Sequence, residues 1–320
     1  MQLNILDQCP IPEGSDAGDA LRNTLELART AERLGYGRYW LAEHHGTPGL
    51  ACNSPEVMIG PVAAATSRIR VGSGGIMLPH YSPLKVAESF SMLNALFPGR
   101  IDLGIGRAPG TSAKVAFALQ RDRRQPSPDD FREQMDELLS YKQIPEVSLL
   151  GSSVQSAVWA AELALPYVFA DFINPAGAAM AAYYREHFRP SGALAEPRVS
   201  VAVWALAAET DEEALRVSAS ARMMLLSLFR GRLIAVPSVE KALALLSREN
   251  VPIESVPAGR RIISGAPARV RDSLEAVAAE YGADEVFVVN IVHDPVARLR
   301  CYELIAQAFE LRTTLQTSSI

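Results

Sequence analysis

The feature that most constrains the fold is a rhythm. Short apolar segments that read as strands alternate with longer segments that read as helices, eight times along 320 residues. The strand-like segments are residues 3–8, 38–44, 69–78, 101–107, 147–150, 167–172, 199–207 and 285–292. Helix-like segments cover 17–34, the stretch opened by Ser54-Pro55-Glu56, 83–96, 153–163, 175–187, 211–230, 239–249 and 295–311. A capping serine followed by proline at the first helical position marks the start of the second helix, and Pro98-Gly99 closes the third. Such alternation builds either a closed barrel or a doubly wound open sheet. The open sheet usually places a glycine-rich phosphate turn after its first strand. That turn here is Cys9-Pro10-Ile11-Pro12. The sequence therefore predicts an α/β fold of the (β/α)8 TIM-barrel type, one domain over residues 1–320. The rhythm breaks at 108–145, which is expected to be an insertion after the fourth strand.

Composition narrows the function. With 31 basic and 36 acidic side chains the formal net charge is −5. The densest basic cluster, Arg121 to Arg124, is interrupted by Asp122, so no nucleic-acid partner is expected. Cys9, Cys52 and Cys301 are too scattered for a zinc site or a disulfide framework. The start of the chain lacks the basic and apolar regions of a signal peptide. No apolar run approaches the roughly 18 residues of a membrane span. A cytoplasmic protein with no membrane partner is expected.

In a barrel of this kind the chemistry sits at the carboxyl ends of the strands. Four successive ends carry ionisable or glycine-rich groups: Glu43-His44-His45, Gly74-Gly75, Gly106-Arg107 and Gly151-Ser152-Ser153. Neighbouring strand residues point to opposite sides, so at most one of His44 and His45 faces a ligand if the strand runs through both. That also argues against a shared metal ion, and no metal site is expected. Glu43 has a plain reading as the carboxylate that orients a histidine. Gly74-Gly75 marks either a simple bulge or the close approach of a ligand or another backbone.

The fifth strand end is the strongest chemical signal. Gly151-Ser152-Ser153 opens a helix, with Ser156 on the same helical face as Ser153. Free N–H groups and the positive end of the helix dipole suit an anion there. Arg107 offers planar donors matched to phosphate oxygens. Ser152 or Ser153 also reads as an ordinary helix cap, which is compatible with an anion site. A phosphate-bearing cofactor lying across the barrel mouth fits all four strand ends, and spacing does not say which cofactor.

Several stretches resemble the bacterial luciferase-like monooxygenase family. They are Trp40-Leu41-Ala42-Glu43-His44-His45, Ser54-Pro55-Glu56-Val57, RIRVGSGGIMLP at 68–79 and PGRIDLGIGR at 98–107. Gly151-Ser152-Ser153 through AAELALP at 160–166, SGAP at 264–267 and YGADE at 281–285 continue the likeness. The resemblance implies a barrel that uses FMN, reduced by a separate flavin reductase. Molecular oxygen then forms a flavin hydroperoxide that oxygenates a small organic substrate. By position, His44 matches the family's catalytic histidine with His45 its neighbour. Gly74-Gly75 falls where relatives have a bulge, often with a non-prolyl cis peptide, against the flavin ring.

Arg107, Ser152, Ser153 and Ser156 match phosphate-binding positions, and a second phosphate arginine is expected among Arg121, Arg123 and Arg124. The 108–145 stretch would supply a lid, and relatives form dimers, so a homodimer is implied. Luciferase carries a reactive cysteine where Gly106 stands here, so chemistry that depends on that thiol does not transfer. Substrate-pocket residues are expected from 9–15, 47–53 and the insertion. Two other functions share the fold: an oxidoreductase using the deazaflavin coenzyme, and a non-catalytic flavin-binding protein. The Gly-Arg-Ala-Pro-Gly stretch at 106–110 and His44-His45 favour the FMN branch.

Overall fold

The computed structural model of the chain describes residues 1–107, 112–125, 129–256 and 262–311. Its first half runs β1 (Gln2–Asp7), α1 (Ala17–Leu34), β2 (Arg38–Leu41), α2 (Pro55–Ala65), β3 (Arg70–Met77), α3 (Pro83–Leu96) and β4 (Ile101–Gly106). Then come α4 (Ala113–Leu119), α5 (Phe131–Ser140), β5 (Glu146–Gly151), α6 (Val154–Glu162), β6 (Tyr167–Ala170) and α7 (Ala178–His187). The last third holds β7 (Val199–Ala207), α8 (Asp211–Val217), α9 (Ala219–Phe229), α10 (Val239–Arg248), β8 (Ile263–Gly265), α11 (Pro267–Tyr281), β9 (Glu285–Val289) and α12 (Pro295–Ala308).

Strands β1 to β7 pair in chain order, all parallel; β7 then pairs with β9, and β9 with β1. Eight strands thus close a barrel, as the rhythm predicts. The expected eighth strand is β9. The short β8 is additional and pairs only with the end of β7, Ala205 opposite Ile263, beyond the residues of β7 that reach β9. Helix α11, not expected from the rhythm, runs from Pro267 to a left-handed Gly282 cap. The single helix expected at 211–230 is two, α8 and α9, which meet at Ser218.

Side-chain alternation sorts the core into two layers. Leu3, Ile5, Tyr39, Leu41, Val201 and Val203 pack outward against the helices, whereas Leu6, Trp40, Ala42, Ala202, Trp204 and Phe287 fill the barrel. The floor of the barrel is polar. Buried Asp102 accepts from Arg38 Nη1 (2.8 Å) and Trp40 Nε1 (2.9 Å), and also from Arg70, while Arg38 Nε reaches Glu285 at 3.0 Å. This ion cluster plugs the end of the barrel where the strands begin, leaving the opposite end to open.

The expected insertion at 108–145 divides into two parts. Helix α5 buries Phe131, Met135 and Leu138, and Gln134 Nε2 donates to the carbonyls of Leu78 (3.3 Å) and Tyr81 (3.1 Å). It is the barrel's own helix between β4 and β5. Helix α4 buries none of its residues and lies over the loop after β2: a Cβ on Gly46 would come within 2.6 Å of Val115. Residues 108–111 and 126–128, within the same expected insertion, and 312–320, the end of the expected domain, lie outside the described residues. Among the described residues no helix is long and apolar enough to cross a membrane.

β3 and β4 run unusually close. A Cβ would lie 2.5 Å from the Asp102 carbonyl oxygen at Gly72, 2.8 Å from that of Gly104 at Gly75, and 2.2 Å from that of Ser73 at Gly104. The register between the two strands shifts between Ser73 and Ile76, and the Gly74–Gly75 peptide is cis. Ser73 Oγ bridges the break, donating to the Gly104 carbonyl (2.8 Å) and accepting from the Gly104 N–H (3.1 Å). Gly104→Ala therefore forces the strands apart and lowers stability by about 1–3 kcal/mol in urea unfolding. Gly106→Ala, whose Cβ would meet nothing nearer than Met77 Sδ at 3.4 Å, is expected to stay within about 0.5 kcal/mol. Equal effects would remove the close approach from the account.

Candidate active site

The open end of the barrel encloses a cavity of about 460 Å3. Its walls include His44, Gly74, Gly75, Arg107, Ser152, Ser153 and Ser156, brought together from β2, β3, β4 and the start of α6. His45 is not among the lining residues. A second hollow, on the floor among Arg38, Glu146, Arg198 and Glu285, measures about 40 Å3, which is room for a water rather than a ligand.

Strand β2 ends at Leu41, yet its alternation persists: Arg38, Trp40, Ala42 and His44 face inward. The loop beyond is fixed, because His44 N donates to the Cys52 carbonyl (3.0 Å) and Asn53 Nδ2 to the His44 carbonyl (3.1 Å). The buried Nδ1 of His44 has no hydrogen-bond partner among the described residues. Burial, and then the neighbouring His45, lower its pKa to about 4, so the ring is neutral near pH 7. His45 turns the other way, its Nε2 2.6 Å from Glu43 Oε1. The fully buried Glu43 also accepts from Met77 N and Tyr81 Oη, both at 2.9 Å. Glu43 thus ties the end of β2 to the end of β3, the orienting role its plain reading assigns it.

On the far side, Ser153 is the N-cap of α6 and forms a reciprocal capping box with Ser156. Ser156 Oγ donates to the Ser153 carbonyl (2.6 Å) and pairs with Tyr167 Oη (2.9 Å), so its hydroxyl is already engaged. Gly151 leaves the space for it, since a Cβ there would lie 2.3 Å from Ser156. Asn174 Nδ2 holds the Ser152 carbonyl at 3.1 Å. The half-exposed Arg107 gives one N–H to Asp129 Oδ1 (2.7 Å) and lies 5.4 Å from the Trp159 ring. Arg121 is bound to Asp130, Arg124 to Asp122 and Arg123 to the Ala118 carbonyl, and none of the three lines the cavity.

Two lining regions differ from expectation. Loops 9–15 and 47–53 contribute no wall residue; Phe172 and Ile173, after β6, do. The loops after β1 and β2 instead bond to each other, Ile11 N to the Gly49 carbonyl and Ala51 N to that of Cys9, both at 2.8 Å. Gln8, only 4% exposed, also lines the cavity, and its Nε2 has no partner among the described residues. Its signal was present in the alternation of β1, where Asn4, Leu6 and Gln8 share the inward face.

The family profile for luciferase-like monooxygenases matches residues 1–285, and the chain belongs to that family. The N-acetyl-S-alkylcysteine monooxygenase of Bacillus subtilis (strain 168) is 36% identical over 96% of this chain and 98% of its own length. The crystal structure of apo-MsnO8 superposes with a TM-score of 0.90 at 41% identity, covering 97% of this chain and 99% of that one. Two solved structures share the fold at lower identity. The oxygenating constituent of 3,6-diketocamphane monooxygenase from Pseudomonas putida, in complex with FMN, has a TM-score of 0.72 at 18%, covering 96% and 97% of the two chains. An F420-dependent secondary alcohol dehydrogenase has 0.63 at 16%, covering 97% and 99%. Family membership supports an oxidoreductase.

His44 has a measurable consequence for stability. Its folded pKa of about 4 lies below its ordinary 6.5, so between these values the unfolded chain takes up the proton first. Stability therefore rises with pH across that window and falls as pH drops through it. His44→Gln removes this component, so its urea midpoint is expected to fall less than the wild type's between pH 6.5 and about 4. Parallel falls would mean that the ring is solvated.

Proposed function

We propose that the chain is an FMN-dependent monooxygenase that uses molecular oxygen to oxygenate a small organic substrate. It would work in the cytoplasm as a homodimer, with reduced FMN supplied by a separate reductase. The observation that carries this reading is the polarity of the cavity. A cation and a helix N-terminus stand on one side, and a neutral histidine whose Nδ1 has no partner among the described residues stands beside a diglycine on the other. FMN fits these residues, because none of the described lining residues is a carboxylate and the diglycine presents bare backbone. Arg107 and the first amides of α6 at Ser152 and Ser153 would hold the phosphate. Ser156 would act indirectly, by fixing the cap. Gly74 and Gly75 would admit the ring.

Bound reduced FMN supplies the electron pair that activates dioxygen. His44, neutral near pH 7, is poised to accept a proton from the reacting group or to donate a hydrogen bond to it. His45 would serve the reaction through Glu43, by setting the position of the histidine loop. The apolar walls Leu6, Ala42, Val168, Phe172 and Ile173 exclude water, which protects a reactive centre. Helix α4, exposed and seated over the His44 loop, is the lid of this reading.

Arg107→Ala is expected to weaken FMN binding about tenfold to a hundredfold, the worth of a charge-assisted contact, and riboflavin binding far less. Flavin fluorescence quenching measures both. Equal loss would take Arg107 out of the phosphate site, and tight binding of the deazaflavin coenzyme with none of FMN would replace the cofactor.

The homodimer has a candidate face in α2 and α3, where Val57, Leu84, Met92 and Leu96 are 66%, 45%, 66% and 69% exposed. Paired charges at Met92→Glu and Leu96→Glu are expected to halve the mass seen by light scattering. A wild-type monomer would withdraw the dimer.

A further inference from the structure

We propose that Gln8 is a substrate-binding residue that selects neutral, apolar molecules carrying a carbonyl oxygen. The inference rests on the monooxygenase reading and extends it to the substrate. Gln8 stands one residue past β1, on the inward face that Asn4 and Leu6 share, and 4% of it is exposed. Its Nε2 is buried without an acceptor among the described residues. A buried N–H group left unpaired is disfavoured, and native structures pair nearly all such groups.

Among the described residues nothing accepts from Gln8 Nε2. The adjacent Asp7 carboxylate points outward and is already engaged by Cys9 N (2.7 Å), Thr24 Oγ1 (2.8 Å), Tyr39 Oη and Arg298 Nη2 (2.6 Å). Around Gln8 the inward face is apolar, with Leu6, Ala42 and Ala202 in the same wall. The other polar group on this side is His44, one strand over, whose Nδ1 is likewise unpartnered. Two unpaired polar atoms on neighbouring strand ends, set in an apolar wall, await a guest.

That guest is the substrate rather than the phosphate end of the cofactor. Arg107 and the α6 terminus lie three and four strands around the barrel from β1, and they already supply the groups an anion needs. A lone amide beside an apolar wall brings no net charge to offset the cost of burying an ion there, so a neutral acceptor is favoured. Among the described lining residues Arg107 is the only lysine or arginine, which leaves nothing on the Gln8 side to hold a second anion. The amide N–H matches an acceptor oxygen, and a carbonyl is a strong neutral acceptor that an apolar body can carry. Oriented by Gln8, such a substrate would meet His44 at its polar end and Phe172 and Ile173 along its apolar body.

The test uses a shape-matched pair of probes, acetophenone and ethylbenzene, titrated calorimetrically into the full chain with and without FMN. Wild-type protein is expected to bind the ketone at least about fivefold more tightly than the hydrocarbon. Gln8→Met, which conserves volume, is expected to bring the ratio to about one while leaving the FMN affinity unchanged. A wild-type ratio of one, a preference that survives Gln8→Met, or an FMN affinity that falls with the substitution would each overturn the proposal. Because the wild-type ratio needs no variant, the proposal is tested even if Gln8→Met fails to fold. Wild-type protein that binds no FMN would end the cofactor reading, whereas the ketone-to-hydrocarbon ratio without FMN would still decide the role of Gln8.

Discussion

β3 and β4 approach so closely that neither tolerates a side chain where they touch, and the rest of the site follows from that contact. Gly72, Gly75 and Gly104 each place the opposing backbone where a Cβ would stand. The register slip that results, bridged by Ser73, turns Gly74 and Gly75 into the cavity wall. Glu43 then anchors the new path of the chain by accepting from Met77 N, and the same carboxylate orients His45. One close backbone contact thus sets the shape of the wall, the position of the histidine loop and the face that His44 presents.

The electrostatics divide the barrel along its axis and across its mouth. At the floor, Asp102, Arg38, Arg70 and Glu285 neutralise one another and close the core. At the mouth, charge is concentrated on one side at Arg107, while the other side keeps polar atoms that are neutral and unpaired. Such an arrangement stabilises the fold at one end and leaves binding capacity at the other, where unpaired groups reduce stability in the absence of a ligand.

Much of this was legible in the sequence, for identifiable reasons. The eight barrel strands follow from alternation alone, and the four decorated strand ends do converge on one cavity. The third-to-fifth strand ends were the most readable, because glycine, arginine and a serine cap each carry a local meaning. The remaining features depend on tertiary geometry or on elements too short to show a period. A three-residue strand such as β8 is too short for any period to show. Helix α11 carries start and stop signals, Pro267 and Gly282, and an apolar stripe at Val270, Leu274, Val277, Ala278 and Tyr281; it was readable locally, and only the eight-unit rhythm left no place for it. The boundary between α4 and α5 depends on which face is buried, and the pairing of the loops after β1 and β2 depends on a long-range contact. Gln8 needed both the parity of β1 and the knowledge that no neighbour would satisfy it.

The decisive measurement is a crystal structure of the protein soaked with FMN. The phosphate is expected within hydrogen-bond reach of Arg107 and the first amides of α6, with the ring over Gly74 and Gly75 and beside His44. A phosphate seated at another strand end, or a ring remote from His44, would contradict it.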